Sequence, residues 1–198
     1  MKICALIMAG GKGTRLEADI EKPLLELNGR FLIDYILEAV RRCEHIDRDR
    51  LWSVTSPHTK RTEEYLKGKS VQVLQASGNG YVEDMVFAIE RLKLKKTLVV
   101  SADLPLLTSE DLDRVIEEYL RHEMPALAVM VPADIVGKSG IRTDTVMDGY
   151  VPSGVNIVDG KNLNGSEFKM ITKESKFAIN VNTISDSKVA SRRIKHAH

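Results

Sequence analysis

Three glycines and three basic residues follow the first apolar run of the chain within a short stretch. They are Gly10, Gly11, Gly13, Lys12, Arg15 and Lys22. Glycine lets the backbone adopt positive φ and approach a ligand closely, and successive amides can form a concavity that binds anions. Arginine presents a planar fork to phosphate oxygens, whereas lysine presents a point charge. These residue types at this spacing predict a phosphate-binding loop, and a tight turn with solvated cations is the alternative.

Two familiar nucleotide-binding motifs are excluded by where the glycines lie. A Walker loop requires Gly-x4-Gly-Lys-Ser/Thr, and Gly-Lys-Ser occurs at Gly68 and at Gly137. The first glycine of that motif is replaced by Glu63 in one case and by Pro132 in the other. A dinucleotide fingerprint requires a third glycine where Leu16 stands. The chain is therefore neither a P-loop kinase nor a standard dinucleotide dehydrogenase.

A carboxylate ends the most hydrophobic run of the chain. Asp103 follows the apolar residues 96–102 in the sequence Ser-Ala-Asp-Leu-Pro. Mg²⁺ prefers one or two carboxylates together with phosphate oxygens and water, so this position suits a metal ligand beside the glycine loop. A turn cap before Pro105 is the alternative interpretation.

Apolar runs of strand length alternate with stretches of helical period, which predicts an α/β fold with a Rossmann-like, mostly parallel twisted sheet and helices on both faces. Strands are predicted at 2–9, 50–56, 70–76, 96–102, 125–132, 151–160 and 176–183, and helices at 31–43, 59–68, 80–94, 108–122 and 184–196. Residues 133–150 are polar and dotted with glycine, and they predict a loop or small β-ribbon insertion after residue 132. A single domain over 1–198 is expected, with 1–131 on the nucleotide side and 132–198 on the acceptor side.

Ligands of open α/β sheets bind beyond the carboxyl ends of the strands. Four candidate segments follow predicted strands, namely the glycine loop, Thr-Ser-Pro-His at 55–58, Ala-Ser-Gly-Asn-Gly-Tyr at 76–81 and Ser-Ala-Asp-Leu-Pro at 101–105. Because these ends meet at one edge of the sheet, the segments are predicted to form one nucleotide site.

Composition and charge restrict the class of protein. The chain has 198 residues, of which 43% are hydrophobic, and a formal net charge of +1, so no global basic field for nucleic acid exists. Cys4 and Cys43 give no disulfide framework, which fits a reducing cytoplasm, and Cys4 is predicted to be a core residue. The apolar N-terminal stretch is too short for a membrane span and lacks a signal-peptide pattern. The oligomeric state stays open, a homodimer included.

The glycine loop followed by Glu-Lys-Pro closely resembles the opening of α/β nucleotidyltransferases that make NDP-sugars and guanylated cofactors. Within that superfamily the chain resembles the archaeal-type adenosylcobinamide-phosphate guanylyltransferases. The resemblance is carried by 5–15, 21–35, 55–59 with 62–65, 77–85, and 126–132 with 151–158. One departure is the spacer 16–20, which lacks the glycines often found there.

The resemblance implies a reaction and roles for particular residues. GMP would pass from GTP to adenosylcobinamide phosphate in cobalamin biosynthesis, pyrophosphate would leave, and Mg²⁺ would be the cofactor. Lys12 and Arg15 are assigned to the β- and γ-phosphates and Lys22 to the α-phosphate. Asp103 and Asn182 are assigned to the metal, although asparagine is also a good turn former.

Further contacts are predicted from the two glycine loops and from the resemblance together. The nucleotide contacts are Met8, Ala9, Gly10, Gly11, Gly13, Thr14, Ser56, Ser77, Gly78, Gly80 and Glu83. For Glu83 and Asp84, dipole stabilisation at a helix start competes with a ribose contact. Gly154 and Asn156 are assigned to the acceptor, with a bulged strand as the alternative.

Other functions compete with this one. A molybdenum cofactor guanylyltransferase would share the glycine loop, the aspartate and the Asn-x-Asn-Thr sequence at 180–183. A sugar-1-phosphate nucleotidyltransferase would share the glycine loop. A nucleotide-binding module without catalysis would tend to have lost the metal carboxylate or the loop cations, and this chain keeps both.

Overall fold

The computed structural model describes residues 1–14, 20–141, 143 and 145–196. The strands are β1 Ile3–Met8, β2 Glu26–Leu27, β3 Arg30–Phe31, β4 Ile46–Thr55, β5 Gln72–Gln75, β6 Lys96–Ser101, β7 Ala126–Pro132, β8 Tyr150–Asp159 and β9 Glu167–Ile171. The helices are α1 Leu32–Arg42, α2 Lys60–Gly68, α3 Tyr81–Leu92, α4 Ser109–Arg121, α5 Ala133–Lys138 and α6 Ile184–His196. Short 3-10 turns lie at Lys22–Leu24 and Ser175–Ala178.

Among the described residues, seven strands form one sheet in the order β5-β4-β1-β6-β8-β7-β9. Only β8 runs antiparallel to its neighbours β6 and β7, and every other pair in the sheet is parallel. The very hydrophobic β6 is the central strand of this sheet. Its continuous apolar run fits that position, because a central strand is covered on both faces. The predicted mostly parallel α/β sheet is therefore confirmed.

Both faces of the sheet carry a hydrophobic core. Alternate residues of β1 point to opposite faces, so Ala5 and Ile7 join one core while Leu6 and Met8 join the other. Helices α1 and α4 cover the first face and α3 covers the second. Cys4 is 2% exposed, which confirms its predicted place in the core.

The fold beyond residue 132 differs from the prediction in three places. The loop or small β-ribbon predicted over 133–150 is wrong at its start, where Ala133–Lys138 is a helix. At its end, Tyr150 pairs with Pro132 and forms a bridge with Met147. Strand β9, Glu167–Ile171, was not predicted; it is only five residues long, lies at the edge of the sheet and has no fully buried residue.

The predicted strand at 176–183 is also wrong. Its apolar residues do alternate, and Phe177, Ile179 and Val181 are all buried. The segment begins with a 3-10 turn, however, and the N–H of Val181 donates to the carbonyl of Asp103 at 3.0 Å. Burial without a neighbouring strand thus produced the same pattern as a β-strand. Across the described part of the chain, no helix has the length and apolar character needed to cross a membrane.

Candidate active site

Loops at neighbouring strand ends enclose a cleft of about 360 Å³ at the carboxyl edge of the sheet. Residues after β1, around the Lys22–Leu24 turn, after β5 and after β6 all contribute to it. The lining residues are Met8, Ala9, Gly10, Gly11, Lys12, Lys22, Pro23, Gly78, Asn79, Gly80, Tyr81, Asp84, Ser101, Ala102 and Asp103. Three of the four segments predicted to converge therefore line one cleft, whereas the fourth, 55–58, contributes no lining residue.

The glycine loop is supported from behind by the loop after β4. The Ser56 hydroxyl donates to the carbonyl of Gly10 at 2.7 Å, and a Cβ added at Gly10 would lie 3.2 Å from the Ser56 Cβ. Glycine is needed here because the two backbones approach so closely. Ser56 holds the loop in place and does not line the cleft, so its predicted nucleotide contact stays a prediction.

The second half of the glycine loop leads toward Lys22. Gly13 has a φ of +60°, which L side chains rarely adopt, and a Cβ there would lie 3.2 Å from the Lys22 Cβ. Lys12 lines the cleft and is exposed, and Thr14 is an exposed turn residue outside the cleft lining. Arg15 lies outside the described residues, so its predicted phosphate contact stays a prediction.

Lys22 and Asp103 line the cleft, and Asn182 joins them from a distant part of the chain. The Lys22 ammonium donates to Oδ2 of Asp103 and, at 2.6 Å, to Oδ1 of Asn182. The side chains of Lys22 and Asp103 are each 16% exposed, so a ligand can still reach them. The structure thus brings together one predicted catalytic cation and both predicted metal ligands.

The segment after the 3-10 turn at 175–178 fixes the carboxylate. Asn180 donates from Nδ2 to Oδ1 of Asp103 at 3.3 Å, and the N–H of Val181 donates to the Asp103 carbonyl. The N–H of Asn182 donates to Asp186 at 3.0 Å, in the first turn of α6. Because α6 orders this segment, the Asn182 amide oxygen reaches Lys22, although Asn182 itself does not line the cleft.

The donor set around Asp103 fits Mg²⁺. The Asp103 carboxylate and the Asn182 amide oxygen are hard oxygen ligands, and both lie within hydrogen-bond reach of the same ammonium group. The described residues contain no cluster of three or more His, Cys, Asp or Glu side chains that could hold a metal alone. Such a site would take Mg²⁺ together with substrate phosphates, since Mg²⁺ rarely uses an all-protein cage.

The second glycine loop is held by Asp84. The buried Asp84 carboxylate accepts hydrogen bonds from the Ser77 hydroxyl at 3.2 Å and from the Gly78 N–H at 3.1 Å. Glu83 lies outside the cleft lining and its carboxylate folds against Gly80. Gly78 and Gly80 line the cleft, whereas Ser77 is used by Asp84. The nucleotide contacts predicted for Ser77 and Glu83 have no geometric support here.

Gly154 and Asn156 of β8 lie outside the cleft lining but contact residues that belong to it. Gly154 has a φ of +77°, and a Cβ there would lie 2.8 Å from Oγ of Ser101, which lines the cleft. Asn156 and Ser101 hydrogen-bond Tyr81 at the start of α3. Desolvation of the hydroxyl raises the pKa of Tyr81 to about 12 and the neighbouring Ser101 and Asn156 oppose the rise, although 38% of the residue is exposed. Tyr81 therefore remains a neutral phenol.

Sequence reasoning missed Tyr81, Asn180 and the structural role of Asp84. Asn180 carried a signal, since it precedes Asn182 in Asn-x-Asn-Thr and could have been assigned to the same carboxylate. Tyr81 follows Gly80 directly, and an aromatic residue after a glycine at a helix start could have been assigned to the cleft. Asp84 offered no signal that separated a loop contact from ordinary helix capping.

Comparison with known proteins identifies the family of this chain. The sequence profile of the MobA-like NTP transferase domain matches residues 5–138. The chain belongs to the MobA-like NTP transferase family. The matched range includes the glycine loop, Lys22 and Asp103, and the resemblance inferred from the glycine loop is thereby confirmed.

Relatives of this MobA-like NTP transferase cover its length to different extents. An adenosylcobinamide-phosphate guanylyltransferase of Methanocaldococcus jannaschii is 36% identical over 201 residues, covering 96% of this chain and 97% of that protein. The bifunctional protein GlmU of Streptococcus uberis is 31% identical over 132 residues, which is 66% of this chain but 28% of that protein. The second half of this chain therefore has its counterpart in the first relative.

A solved structure shows the same fold. Molybdopterin-guanine dinucleotide biosynthesis protein A of Archaeoglobus fulgidus matches with a TM-score of 0.70 over 99% of this chain and 100% of that one. The two sequences are 16% identical, so the likeness concerns the fold alone. The predicted nucleotidyltransferase fold is confirmed for this MobA-like protein.

Proposed function

We propose that this protein is an adenosylcobinamide-phosphate guanylyltransferase that transfers GMP from GTP to adenosylcobinamide phosphate and releases pyrophosphate. The observation that carries the proposal is the 36% identity to the M. jannaschii protein of that name over 96% of this chain. Both the nucleotide part and the acceptor part of the chain are included in that match. The cleft supports the proposal because it gathers oxygen ligands and cations where a triphosphate would bind.

The proposed reaction is an in-line displacement at the α-phosphorus. An oxygen of the acceptor phosphate forms a bond to the α-phosphorus, and the bond from that phosphorus to the oxygen bridging to the β-phosphate breaks. The electron pair leaves with pyrophosphate. Such a transfer asks for positioning and charge neutralisation, and it needs no protein nucleophile.

The residues of the chain would divide this work between them. The amides of Gly10 and Gly11, with Lys12, would hold the β- and γ-phosphates against the glycine loop. Lys22 would neutralise charge that grows at the α-phosphate, where a well-placed group commonly contributes about 3 kcal/mol to lowering a barrier. Arg15 is proposed as a second cation for the phosphates on the basis of the sequence resemblance.

Mg²⁺ is proposed as the cofactor, held by Asp103 and Asn182. When bound, the ion would supply positive charge that draws the phosphate oxygens together and lowers the cost of the transition state. Asp103 is held by Asn180 and by the Val181 amide, so its carboxylate is oriented before any ligand arrives.

The acceptor side is proposed to lie along β8. Gly154 packs closely against Ser101, where a side chain would not fit, and Asn156 contacts Tyr81. These residues lie on the strand next to β6, on the side of β6 away from β1. A phosphorylated acceptor approaching over β8 would meet the α-phosphate from that side.

A paired-acceptor assay tests the proposal. Purified protein is incubated with GTP and Mg²⁺, and pyrophosphate release is measured with adenosylcobinamide phosphate, molybdopterin or a sugar 1-phosphate as the acceptor. Pyrophosphate release is expected only when adenosylcobinamide phosphate is the acceptor. Calorimetry is expected to show GTP binding well ahead of ATP, and equal affinities would remove the guanylyl assignment.

A molybdenum cofactor guanylyltransferase is the second candidate. It is favoured by the MobA-like character of the matched domain over residues 5–138. In the same assay, pyrophosphate release supported by molybdopterin alone would establish this candidate in place of the first. The assay therefore separates the two acceptors without a change in protein or nucleotide.

A further inference from the structure

Glu21 contacts the first turn of α2 through both of its carboxylate oxygens. Oε1 accepts the N–H of Arg61 at 2.9 Å, and Oε2 accepts both the N–H and the hydroxyl of Thr62 at 2.6 Å. Thr62 is fully buried. These contacts join parts of the chain 40 and 41 residues apart, and the phosphate-binding and metal-binding roles described above do not use them.

Helix α2 needs these contacts at its start. The first N–H groups of a helix have no partner inside the helix, and a side chain of the N-cap residue usually supplies one. The N-cap Thr59 makes no such side-chain contact with α2. Glu21 satisfies two of these donors from outside the helix, and its negative charge is favourable at the positive end of the helix dipole.

The same residue begins the turn that carries Lys22. The carbonyl of Glu21 accepts the N–H of Leu24 at 2.8 Å, which closes the 3-10 turn at Lys22–Leu24. Pro23 is buried within that turn, and its ring fixes φ. The backbone of Lys22 therefore lies between a closed turn on one side and the carboxylate anchor on the other.

The start of α2 also supports the glycine loop. Thr59 accepts the N–H of Ser56 through its hydroxyl at 3.0 Å, and Ser56 in turn donates to the carbonyl of Gly10. The first turn of α2 and the residues before it thus hold both the glycine loop and, through Glu21, the turn of Lys22. A displacement of the glycine loop or of the Lys22–Leu24 turn would change the distance between the loop amides and the Lys22 ammonium.

We propose that Glu21 is a positioning residue for Lys22: its carboxylate anchors the Lys22–Leu24 turn on the first turn of α2, so that the ammonium reaches Asp103 and Asn182. The consequence for turnover rests on the proposed function. Glu21 touches no reacting atom and acts only through Lys22.

Two variants of Glu21 test the anchor. Glu21→Ala removes all three contacts, and Glu21→Gln keeps the size of the side chain but places an amide N–H₂ among donors. Turnover is expected to fall by up to about 100-fold in Glu21→Ala and by less in Glu21→Gln, with little change in GTP affinity, because misplacement of a catalytic group affects the chemical step. Glu64→Ala, an exposed glutamate on α2, is the matched control and keeps wild-type turnover.

A double-mutant cycle separates positioning from general stability. Lys22→Ala alone is expected to lower turnover more than nucleotide affinity. In that background, Glu21→Ala is expected to change turnover by less than about twofold, because the residue through which it acts is gone. Independent, additive losses would overturn the proposal. If Glu21→Ala does not fold, the cycle is run with Glu21→Gln, and the same outcomes apply.

Amide hydrogen exchange gives a readout that does not depend on the reaction. Glu21→Gln is expected to speed exchange at Arg61 and Thr62 relative to wild type, while the β1 amides keep their protection. Unchanged exchange at both positions would overturn the anchor itself. A wild-type protein that releases no pyrophosphate with any acceptor would instead contradict the proposed function, whatever the exchange shows.

Discussion

At the scale of single residues, glycines in and near the cleft are of two kinds: those that the fold requires and those for which a ligand is the reason. Gly154 combines a positive φ with close contact to Ser101, and Gly10 lies against Ser56, so both serve the fold. Among the described residues, nothing lies within 4 Å of a Cβ added at Gly11, and Gly11 has no positive φ. The described contacts therefore give no reason of folding for glycine at position 11, and its place in the cleft lining points to a ligand.

Replacement of Gly11 by alanine is expected to weaken GTP binding without affecting the fold. The free energy of unfolding should stay within about 0.5 kcal/mol of wild type, as at other open surface positions. GTP affinity should fall by about tenfold, or about 1.4 kcal/mol, because the methyl group holds phosphates away from the amides. Calorimetry and denaturant unfolding measure the two quantities. Gly137→Ala, also in open space, is the control, and unchanged GTP affinity in Gly11→Ala would contradict the phosphate contact.

Asp103→Asn distinguishes an enzyme from a nucleotide-binding module. The amide keeps the size of the side chain and an acceptor for Lys22, but it removes the charge that would hold Mg²⁺. Turnover is expected to fall at least about 100-fold, the scale on which electrostatic groups act in active sites, while GTP still binds. Asp49→Asn, at an exposed position of β4, should keep full turnover. If Asp103→Asn kept the turnover of the wild type, the assignment of Asp103 as a metal ligand would be wrong.

The site could be predicted from the sequence one residue at a time, but its contacts could not. Asp103 and Lys22 were each assigned to the cleft from local motifs. Their mutual contact joins positions 81 residues apart, and the contact of Lys22 with Asn182 spans 160 residues. Local spacing contains no information about such pairs. The bonds of Glu21 to α2 were missed for the same reason.

At the scale of elements, Asp113 of α4 joins the end of α1 to the start of β4. Its carboxylate accepts the N–H of Glu44 at 3.1 Å, the N–H of His45 at 3.0 Å and the Cys43 thiol at 2.9 Å. Burial and this hydrogen bond raise the pKa of Cys43 to about 12. Cys43 is thus a hydrogen-bond donor that stays protonated, which agrees with a reaction that needs no thiolate.

The Asp113 contacts predict an acid dependence of stability. Burial alone would raise the pKa of Asp113, but hydrogen bonds from Cys43, His45 and two backbone amides together lower it below its ordinary value of 3.8. A carboxyl group whose pKa is lower in the folded state than in the unfolded state stabilises the native state at pH values above its unfolded pKa. This stabilisation is lost as the pH falls through the folded pKa. Asp113→Asn should therefore lose about 1–3 kcal/mol at pH 7 and show a smaller further loss below pH 3.8.

Urea unfolding between pH 7 and pH 3 measures this dependence. Asp134→Asn is the matched control, because Asp134 is 67% exposed and pairs only at 3.6 Å with Lys138. The control should follow wild type across the whole range. An acid dependence that is the same in wild type and Asp113→Asn would show that the carboxylate contributes nothing to it.

Elements with a complete periodic pattern were predicted well, and those shaped by distant contacts were not. The helix predicted at 184–196 is α6 at the same bounds, since its apolar positions face one core. The segment 176–183 has the alternation of a strand, but its amides bond to Asp103 and a 3-10 turn instead of a neighbouring strand. Alternation reports burial, and the partner that satisfies the backbone decides between a strand and an extended segment.

At the scale of the whole molecule, the cleft joins segments that the sheet holds only at their strand ends. Its lining comes from residues 8–12, 22–23, 78–81, 84 and 101–103. The ends of β1, β4, β5 and β6 are tied by backbone contacts, such as Ala9 to Val54 at 2.8 Å and Ala76 to Thr55 at 2.8 Å. Beyond those contacts the loops meet mainly through side chains. A ligand that touches all of them adds cross-links that the unfolded chain does not have.

GTP with Mg²⁺ is therefore expected to raise the thermal stability of the whole protein. A ligand at 100 times its Kd stabilises the native state by about 2.7 kcal/mol, which for a chain of this size corresponds to a rise in Tm of roughly 5 to 10 °C. ATP at the same concentration should give a smaller rise if the base is read by the loop after β5. In Asp103→Asn the rise with GTP should persist, but the part that depends on Mg²⁺ should disappear. Scanning calorimetry of both proteins, with and without Mg²⁺, measures each contribution, and a Mg²⁺-dependent rise of equal size in Asp103→Asn would place the ion away from the end of β6.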